Sequence, residues 1–470
     1  MATPIPENAA SFSLDDVVRA TSGEAVTDAP PETLCGVAID SRLVCEGGVF
    51  IALRGNNLDG HRFIEDAISK GAGLCIVEKG ASFDVARGAN FVYVDDTLKA
   101  LGDLAAMHRR RLKSRFFGLT GSVGKTSTKE LLHRALQSLS ESVHCTPGNL
   151  NNRVGLPMVL LSLDDSVREA VIEMGTSQPG EIGELARIAQ PQVGVLTTVA
   201  HAHTRGLPSL EAVAEEKGAL LLSLASDGVA VAHSLPVIQP YMDRSAACEK
   251  VLFGTDPWCQ VQVLSCQMTA AFRMQVELRV GTERHQAQLR LLGRGAAHNL
   301  AAVVATLQKL GYPPAAVLAA LSDHEAVPGR FSIHEERTYV VIDDSYNATP
   351  RSTEVALEAL AELARLRTSR SVAILGDMLD LGALEDEAHR KVGERVAALG
   401  IGLFLATGKL MRQAAHLAEA HGVSVVCVPD ADAAAELAGR LCDEGDIVLV
   451  KGSRSMAMEQ VVSALREPKL

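Results

Sequence analysis

The sequence lacks the features that mark secreted, disulfide-linked and membrane-spanning proteins. Its nine cysteines are scattered from Cys35 to Cys442 without a Cys-x-x-Cys pair, which favours buried thiols in a reducing compartment over disulfides or zinc sites. No run reaches the ~18 apolar residues that a membrane span needs, and the first residues form neither a basic nor an apolar signal segment. We therefore expect neither secretion nor membrane insertion, and predict a cytoplasmic location.

The chain also has fewer basic than acidic residues. Lys and Arg number 45 against 57 Asp and Glu, which gives a formal net charge of −12. A chain with this balance repels polyanions, so nucleic acid is a poor default partner. A local basic site can still bind a small anion.

The chain is long and evenly composed. Its 470 residues correspond to about three domains of ~150 residues each. Hydrophobic residues make up 47% and charged residues 22% of the chain, as in average soluble globular proteins. Strand-like apolar runs alternate with alanine-rich helical stretches, which predicts an α/β fold with parallel sheets. These runs span residues 48–53, 116–120, 170–174, 193–197, 339–343, 372–375 and 446–450.

Two segments suggest domain boundaries. A basic segment at 108–115 ends a helical pattern that begins near Thr97, and a Pro-Gly turn at 326–330 precedes a new strand. We interpret the basic segment as a solvated helix end rather than a nucleic-acid patch. Polar alternation at 259–292 predicts antiparallel strands added to the parallel core of the middle domain. The predicted domains are residues 1–113, 114–326 and 327–470.

A glycine loop between a predicted strand and a predicted helix is the clearest chemical motif. Residues 120–126 read Thr-Gly-Ser-Val-Gly-Lys-Thr, and the two glycines let backbone N–H groups turn toward phosphate oxygens. Lys125 can reach the β and γ phosphates, and the Thr126 hydroxyl can ligate Mg²⁺. Strict Walker spacing would place a glycine at Leu119, so the motif is a variant. By itself a phosphate loop leaves kinase, ATPase, GTPase and ligase activities open.

Four further side chains are candidates for metal binding or catalysis, but each also has a structural interpretation. Glu173 ends a predicted strand, where an acidic residue either holds a metal or caps a helix. His201 and His203 follow the next strand, and a lone histidine is more often structural than a ligand. Lys217 by itself indicates a solvated lysine on a helix.

Segments in all three predicted domains together resemble the ATP-dependent Mur ligases of bacterial cell-wall synthesis. The loop at 120–126 has the family's form, and further matches lie at 40–42, 47–55, 59–63, 148–155, 343–350, 375–382 and 451–454. The resemblance implies an α/β chain of three domains. These are a UDP-sugar-binding domain, a central P-loop ATPase domain with a parallel sheet plus a small antiparallel sheet, and a Rossmann-like carboxy-terminal domain.

The three carboxy-terminal segments resemble those family members that add D-alanyl-D-alanine to UDP-N-acetylmuramoyl (UDP-MurNAc) tripeptide. The resemblance thus implies an ATP-dependent ligase that forms the pentapeptide precursor of peptidoglycan through an acyl phosphate. It implies these two substrates as partners, and a monomer with transient contacts to other wall-synthesis enzymes. A diamino-acid-adding member of the family and a catalytically silent relative that only binds partners remain as alternatives.

The resemblance also assigns roles to individual residues. It implies that Lys125, Glu173, His203 and Lys217 are catalytic, and that Mg²⁺ is bound by Thr126, Glu173, His203 and Lys217, the last as a carbamate. The implied ATP contacts are Thr120, Gly121, Ser122, Val123, Gly124, Lys125, Thr126, Ser127, Asn299, Arg330, Asp344 and Asn347. The implied substrate contacts are Asp40, Ser41, Arg42, Asn151, Asn152 and Thr176. Gly295 and Ala296 stand where relatives have a His-Asn pair.

Overall fold

Three large β-sheets organise the protein, and Ser11–Phe12 and Leu34–Cys35 form a further two-stranded antiparallel pair. The computed structural model describes residues 3–55, 58–83, 89–200, 206–336 and 338–466. The three sheets take their strands from 24–94, 115–289 and 332–451, and the predicted α/β class is confirmed. Each sheet lies within one of the three predicted domains, whose boundaries stay predictions. Across the described ranges, no helix is both long enough and apolar enough to cross a membrane.

The amino-terminal unit contains a small sheet and three helices. Its strands are β1 (Ser11–Phe12), β2 (Glu24–Val26), β3 (Leu34–Cys35), β4 (Val37–Ala38), β5 (Val49–Ile51), β6 (Leu74–Glu78) and β7 (Phe91–Val94), and its helices are α1 (Leu14–Thr21), α2 (Ile64–Ser69) and α3 (Thr97–Arg111). The sheet has five described strands in the order β2-β7-β6-β5-β4, with only the β2–β7 pair antiparallel among them. Helix α3 begins at the predicted residue because the Asp96 side chain accepts a hydrogen bond from the Lys99 N–H at 2.9 Å.

The basic segment at the end of α3 is a solvated helix end at Arg110, Arg111 and Lys113, which are exposed, but not at Arg109. Arg109 is buried, with its guanidinium 3.7 Å from the Phe116 ring centroid. It donates hydrogen bonds to the carbonyls of Ala189 (2.7 Å) and Gln190 (3.0 Å). The side chain therefore joins the amino-terminal unit to the end of a helix in the central unit.

The central unit contains one long mixed sheet. Its strands are β8 (Arg115–Thr120), β9 (Val143–Cys145), β10 (Glu169–Glu173), β11 (Val193–Leu196), β12 (Val229–His233), β13 (Glu249–Gly254), β14 (Val261–Met268), β15 (Met274–Val280) and β16 (Glu283–Leu289). Its helices are α4 (Lys125–Leu139), α5 (Gly155–Leu161), α6 (Glu181–Ala189), α7 (Leu210–Leu222), α8 (Gln239–Arg244), α9 (Arg294–Lys309) and α10 (Pro314–Leu321). The nine described strands have the order β16-β15-β14-β13-β12-β11-β8-β10-β9.

The predicted antiparallel strands are confirmed as β14, β15 and β16, but they do not form a separate sheet. Strand β14 pairs in parallel with the end of β13 through Phe253 and Val261, so the antiparallel part continues the parallel part. Strand β8 lies between β10 and β11, and the chain therefore switches sides of the sheet at β8. Open α/β sheets bind ligands outside the carboxyl ends of their strands at such a switch point.

The carboxy-terminal unit contains the third sheet. Its strands are β17 (Ser332–Glu335), β18 (Val340–Asp344), β19 (Ser371–Gly376), β20 (Leu403–Thr407), β21 (Ser424–Val428) and β22 (Ile447–Lys451), and its helices are α11 (Pro350–Arg367), α12 (Glu385–Ala398), α13 (Met411–Ala420), α14 (Ala431–Leu441) and α15 (Glu459–Arg466). The six described strands have the order β17-β18-β22-β19-β20-β21, and β17 alone among them is antiparallel to its neighbour.

Apolar packing connects the units to each other. Leu104 of α3 and Leu156 of α5 belong to one buried cluster that spans the amino-terminal and central units. Phe272, in the turn between β14 and β15, is buried in a second cluster with Leu360 of α11. The Arg367 guanidinium lies 4.6 Å from the Phe272 ring centroid. The antiparallel extension of the central sheet thus contacts the carboxy-terminal unit.

Candidate active site

The glycine loop lies at the switch point, between β8 and α4, as its sequence predicts. The backbone φ angles of Gly121 and Gly124 are +153° and +85°. A Cβ atom at Gly121 would lie 1.9 Å from Thr197 Oγ1, and one at Gly124 would lie 2.5 Å from Asn299 Oδ1. Both positions therefore need glycine, because of close packing and because side chains disfavour these conformations.

The segment after β11 supports the loop from one side. The Ser122 N–H donates to the Thr198 carbonyl at 2.6 Å, and the Ser122 hydroxyl donates to the Ala200 carbonyl at 2.8 Å. The Thr197 hydroxyl donates to the Val123 carbonyl at 2.8 Å. These bonds fix the loop before any ligand binds, which lowers the entropic cost of binding a phosphate group.

Lys125 begins α4 directly after the loop. Its Nζ donates to the Gly121 carbonyl at 2.8 Å, which holds the ammonium over the loop. Burial lowers the pKa of Lys125, the Glu173 carboxylate opposes this shift, and the Arg330 charge adds to it. The cation is thus placed where the charge of a bound phosphate would compensate its burial.

The geometry at the end of β10 fits a magnesium ligand. The Glu173 N–H donates to Thr146 Oγ1 at 2.9 Å, and Asn151 Nδ2 donates to Glu173 Oε1 at 2.8 Å. Glu173 Oε2 is buried and has no hydrogen-bond partner among the described residues. A fixed carboxylate with one unsatisfied oxygen, together with the Thr126 hydroxyl on the same cleft, provides the oxygen donors that Mg²⁺ prefers. His203 lies outside the described residues.

Lys217 on α7 is buried, which contradicts its interpretation as a solvated helix lysine. Burial lowers the pKa of Lys217 to about 7, the charge of Lys125 lowers it further, and Glu216 opposes the shift. No described carboxylate forms an ion pair with its ammonium group. The Glu216 carboxylate instead accepts the backbone N–H groups of Gly180 and Ile182 at the start of α6.

The carboxy-terminal unit contributes a second wall. Lys451, at the end of β22, is buried and donates to Asp344 Oδ2 at 2.6 Å and to the Asn347 carbonyl at 2.8 Å. Burial raises the pKa of the Asp344 carboxyl, and the ammonium of Lys451 opposes this shift. Arg330 stacks on Tyr346, with its guanidinium carbon 3.8 Å from the ring centroid, and donates to Thr126 Oγ1 at 3.1 Å.

One cleft of about 1500 Å³ brings most of the predicted residues together. The predicted residues that line it are Ser122, Val123, Gly124, Lys125, Thr126, Ser127, Asn151, Asn152, Glu173, Thr176, Asn299, Arg330, Asp344 and Asn347. Thr120 is fully buried and its hydroxyl donates to the Met174 carbonyl at 2.8 Å, so it supports the loop from behind. The Asn152 side chain accepts from the N–H groups of Val154 and Gly155 and thereby caps α5.

The predicted substrate residues of the amino-terminal unit do not line this cleft. Arg42 Nη2 lies 2.6 Å from Asp40 Oδ2 in an ion pair, and this pairing with Arg42 lowers the pKa of Asp40. Ser41 is buried at the start of the 3₁₀ helix Ser41–Leu43. A substrate that contacts both regions would have to be extended.

The residue-by-residue prediction missed several side chains of the cleft. Lys451 lies in a segment that matched the family, yet nothing in its spacing indicated an ion pair with a residue 107 positions away. The His233 and His298 rings lie 4.8 Å apart, and His233 also stacks on Phe253 at 5.3 Å. Burial, with the charge of His298, lowers the pKa of His233 to about 4. The one signal in the sequence was the pair Gly295 and Ala296 before His298, which stands where relatives have a His-Asn pair.

Comparisons with known proteins agree with these observations. Three family models match: "Mur ligase family, catalytic domain" at 33–109, "Mur ligase middle domain" at 119–307 and "Mur ligase, glutamate ligase domain" at 329–454. The UDP-N-acetylmuramoyl-tripeptide–D-alanyl-D-alanine ligase of Escherichia coli is 33% identical over 93% of this chain and 94% of its own length.

Two solved structures match over nearly the whole chain. A crystal structure of MurF from Acinetobacter baumannii has a TM-score of 0.86 at 25% identity, and the match covers 98% of this chain and 100% of that one. The MurF ligase of Thermotoga maritima in complex with ADP has a TM-score of 0.82 at 27% identity, covering 92% and 96% of the two chains.

Proposed function

Because the chain belongs to the Mur ligase family, we propose that it is the ATP-dependent ligase that joins D-alanyl-D-alanine to UDP-MurNAc-tripeptide. The relative from E. coli carries this activity in its name and matches 93% of the chain. One structural observation supports a ligase over a simple ATPase. The phosphate loop faces a cleft whose other wall, with Asp344 and Asn347, belongs to a separate unit, which leaves room for two further substrates beside a nucleotide.

The reaction must activate a carboxylate, because a free carboxylate does not react with an amine. A terminal carboxylate oxygen of the tripeptide attacks the γ-phosphorus of ATP, and the bond from phosphorus to the β,γ-bridging oxygen breaks, giving an acyl phosphate and ADP. The amine of D-alanyl-D-alanine then attacks the acyl carbon, and the resulting tetrahedral intermediate expels phosphate and loses a proton. Lys125 stabilises the charge of the transferring phosphoryl group.

Mg²⁺ fits the donor set at this site, and when bound it neutralises charge on the phosphates. Thr126 and Glu173 would hold it, with His203 and a carbamate of Lys217 as further ligands. The lowered pKa of Lys217, about 7, supports the carbamate. Near neutral pH a large fraction of this side chain is the free amine, whose nitrogen forms a bond to the carbon of CO₂ and loses a proton to solvent. The product is an anion, which replaces a buried cation next to Lys125.

The proposal also covers the location, oligomeric state, domain boundaries and domain motion of the enzyme. The enzyme works as a cytoplasmic monomer, with transient contacts to other wall-synthesis enzymes. Its domains are residues 1–113, 114–326 and 327–470, and Asp40, Ser41 and Arg42 contact the UDP-sugar end of an extended substrate. Because water destroys an acyl phosphate, the carboxy-terminal unit closes on the central unit before reaction.

The proposal is tested by phosphate release from ATP and Mg²⁺ in the presence of UDP-MurNAc-tripeptide, with and without D-alanyl-D-alanine. Release that needs both substrates, with a product heavier by the dipeptide less water, is the expected result. Release with a free diamino acid and the dipeptide-form precursor would assign the chain to the preceding ligation step. Binding of the UDP-sugar peptide without any ATP consumption would indicate a silent partner-binding relative.

A further inference from the structure

A cluster of three potential metal ligands lies on the back of the phosphate-loop helix. Among the described residues, Glu130 and His133 of α4 and Cys145 of β9 each offer one ligand atom, and all three atoms lie within 4.8 Å of one another. The closest pair is Cys145 Sγ and His133 Nδ1, at 3.3 Å. All three residues are half-buried.

Secondary structure explains why these residues meet. Glu130 and His133 are three positions apart and so project from the same face of α4. That helix packs against β9, whose last residue is Cys145. The cysteine spacing of the sequence contained no sign of such a site, because the ligands come from a helix and a strand rather than from a Cys-x-x-Cys pair.

The distances suit a tetrahedral site. Ligands 2.0 to 2.3 Å from Zn²⁺ lie about 3.5 Å from one another in tetrahedral geometry. The pair at 3.3 Å already meets this spacing, and the widest separation needs to close by only about 1 Å, which side-chain rotation achieves. A water molecule would complete the fourth position.

A neighbouring lysine balances part of the negative charge of this cluster. Lys129 Nζ lies 2.9 Å from Glu130 Oε1 and also donates to the Thr146 carbonyl at 2.7 Å. It offsets part of the negative charge, and the other Glu130 oxygen stays available to a cation.

We propose that Glu130, His133 and Cys145 form a second metal site, selective for a divalent cation of the Zn²⁺ class over Mg²⁺. A thiolate and an imidazole prefer borderline-soft cations, whereas the oxygen donors Thr126 and Glu173 prefer Mg²⁺. On binding, the Cys145 thiol releases its proton to solvent as the bond between sulfur and metal forms. The bound ion links α4 to the edge strand β9 and so stabilises the loop helix.

The test is a titration of the metal-free full-length chain with Zn²⁺ against a chromophoric chelator, with Mg²⁺ in excess to occupy oxygen sites. We expect one zinc per chain, a rise in thermal midpoint on zinc addition, and a thiolate-to-metal charge-transfer band in the near ultraviolet with Co²⁺. Cys145→Ser should lower zinc affinity by at least about 100-fold, because changes outside the ligand set alone cost about 10- to 100-fold.

A matched control separates this site from non-specific thiol binding. Cys266 of β14 is also half-buried, and burial raises the pKa of both its thiol and that of Cys145 to about 11, so Cys266→Ser should bind zinc like the original protein. His133→Gln should repeat the Cys145→Ser loss. Equal zinc affinity in the original chain and Cys145→Ser, or absence of the charge-transfer band, would overturn the proposal.

Discussion

The two walls of the cleft place their buried lysines in different electrostatic environments. In the central unit Lys125, which lines the cleft, donates to a carbonyl. Lys217, which does not line the cleft, forms no ion pair with a described carboxylate, and the pKa of each lysine is lowered chiefly by burial. On the carboxy-terminal wall Lys451 is paired with Asp344 at 2.6 Å. Lys125 and the unmodified Lys217 thus have no ion-pair partner among the described carboxylates, whereas Lys451 has one.

Unpaired and paired buried lysines suit different roles, namely binding an anion and orienting a neighbouring side chain. Uncompensated buried cations destabilise the empty protein but bind an anion strongly, because the ligand supplies the missing charge. A paired cation contributes little to anion binding and instead fixes its partner's orientation. We therefore expect changes on the central wall to affect catalysis, and changes on the opposite wall to affect folding stability and the position of Asp344.

The largest effect should follow from Lys125→Met, which removes the central cation but keeps the apolar length of the side chain. Loss of one preorganised donor to a transition state costs about 100- to 1000-fold in turnover. Because Lys125→Met also removes a full charge beside the transferring phosphoryl group, we expect a loss of about 1000-fold. The measurement is kcat for ADP formation, with Lys250→Met on β13 as control. Near-normal turnover in Lys125→Met would contradict the mechanism.

Breaking the pair on the opposite wall should mainly reduce stability. Lys451→Met leaves the Asp344 carboxylate buried without its partner, which costs about 3 kcal/mol of unfolding free energy. The double variant Lys451→Met with Asp344→Asn removes both charges and should regain much of that loss. Urea denaturation of the two single variants and the double variant measures the coupling, and additive losses would show that the pair is not coupled.

The local parts of the site were predictable from the sequence. The phosphate loop depends on glycine spacing within seven residues between a strand and a helix, and all of these interactions are local. The seven predicted strand runs also coincide with strands of the sheets, because a strand buried on both faces needs a continuous apolar run.

The non-local parts were not predictable. Lys217 follows two glutamates, Glu215 and Glu216, on a helix, and only packing of α7 against the central sheet shows that it is buried. The partners of Arg109 are carbonyls 80 and 81 residues further along the chain, and the continuity of the central sheet depends on the short pairing of Phe253 with Val261. No local pattern specifies which distant groups a side chain meets.

Replacing Lys217 tests whether it acts as a carbamate. Lys217→Ala removes the amine, and we expect turnover to fall by about 100-fold, comparable to loss of an important electrostatic group. Short-chain carboxylates such as formate, acetate or propionate should restore part of the activity, because they place an anion in the vacated space. The readout is kcat against carboxylate concentration. Lys125→Met is the control, since the same additives should not rescue it, and no recovery in Lys217→Ala would argue against a carbamate.

The pH dependence of stability tests the burial of the Lys217 amine, and per pH unit it is the smallest effect of the four. The folded pKa of Lys217 is about 7, well below its ordinary value of 10.5, so between these pH values the unfolded chain binds a proton that the folded chain has released. The unfolding free energy of the original chain should therefore rise with pH above about 7, relative to Lys217→Met, by up to ~1.4 kcal/mol per pH unit. Urea denaturation in CO₂-free buffer at several pH values measures this slope, and a difference independent of pH would mean that the buried amine is already compensated.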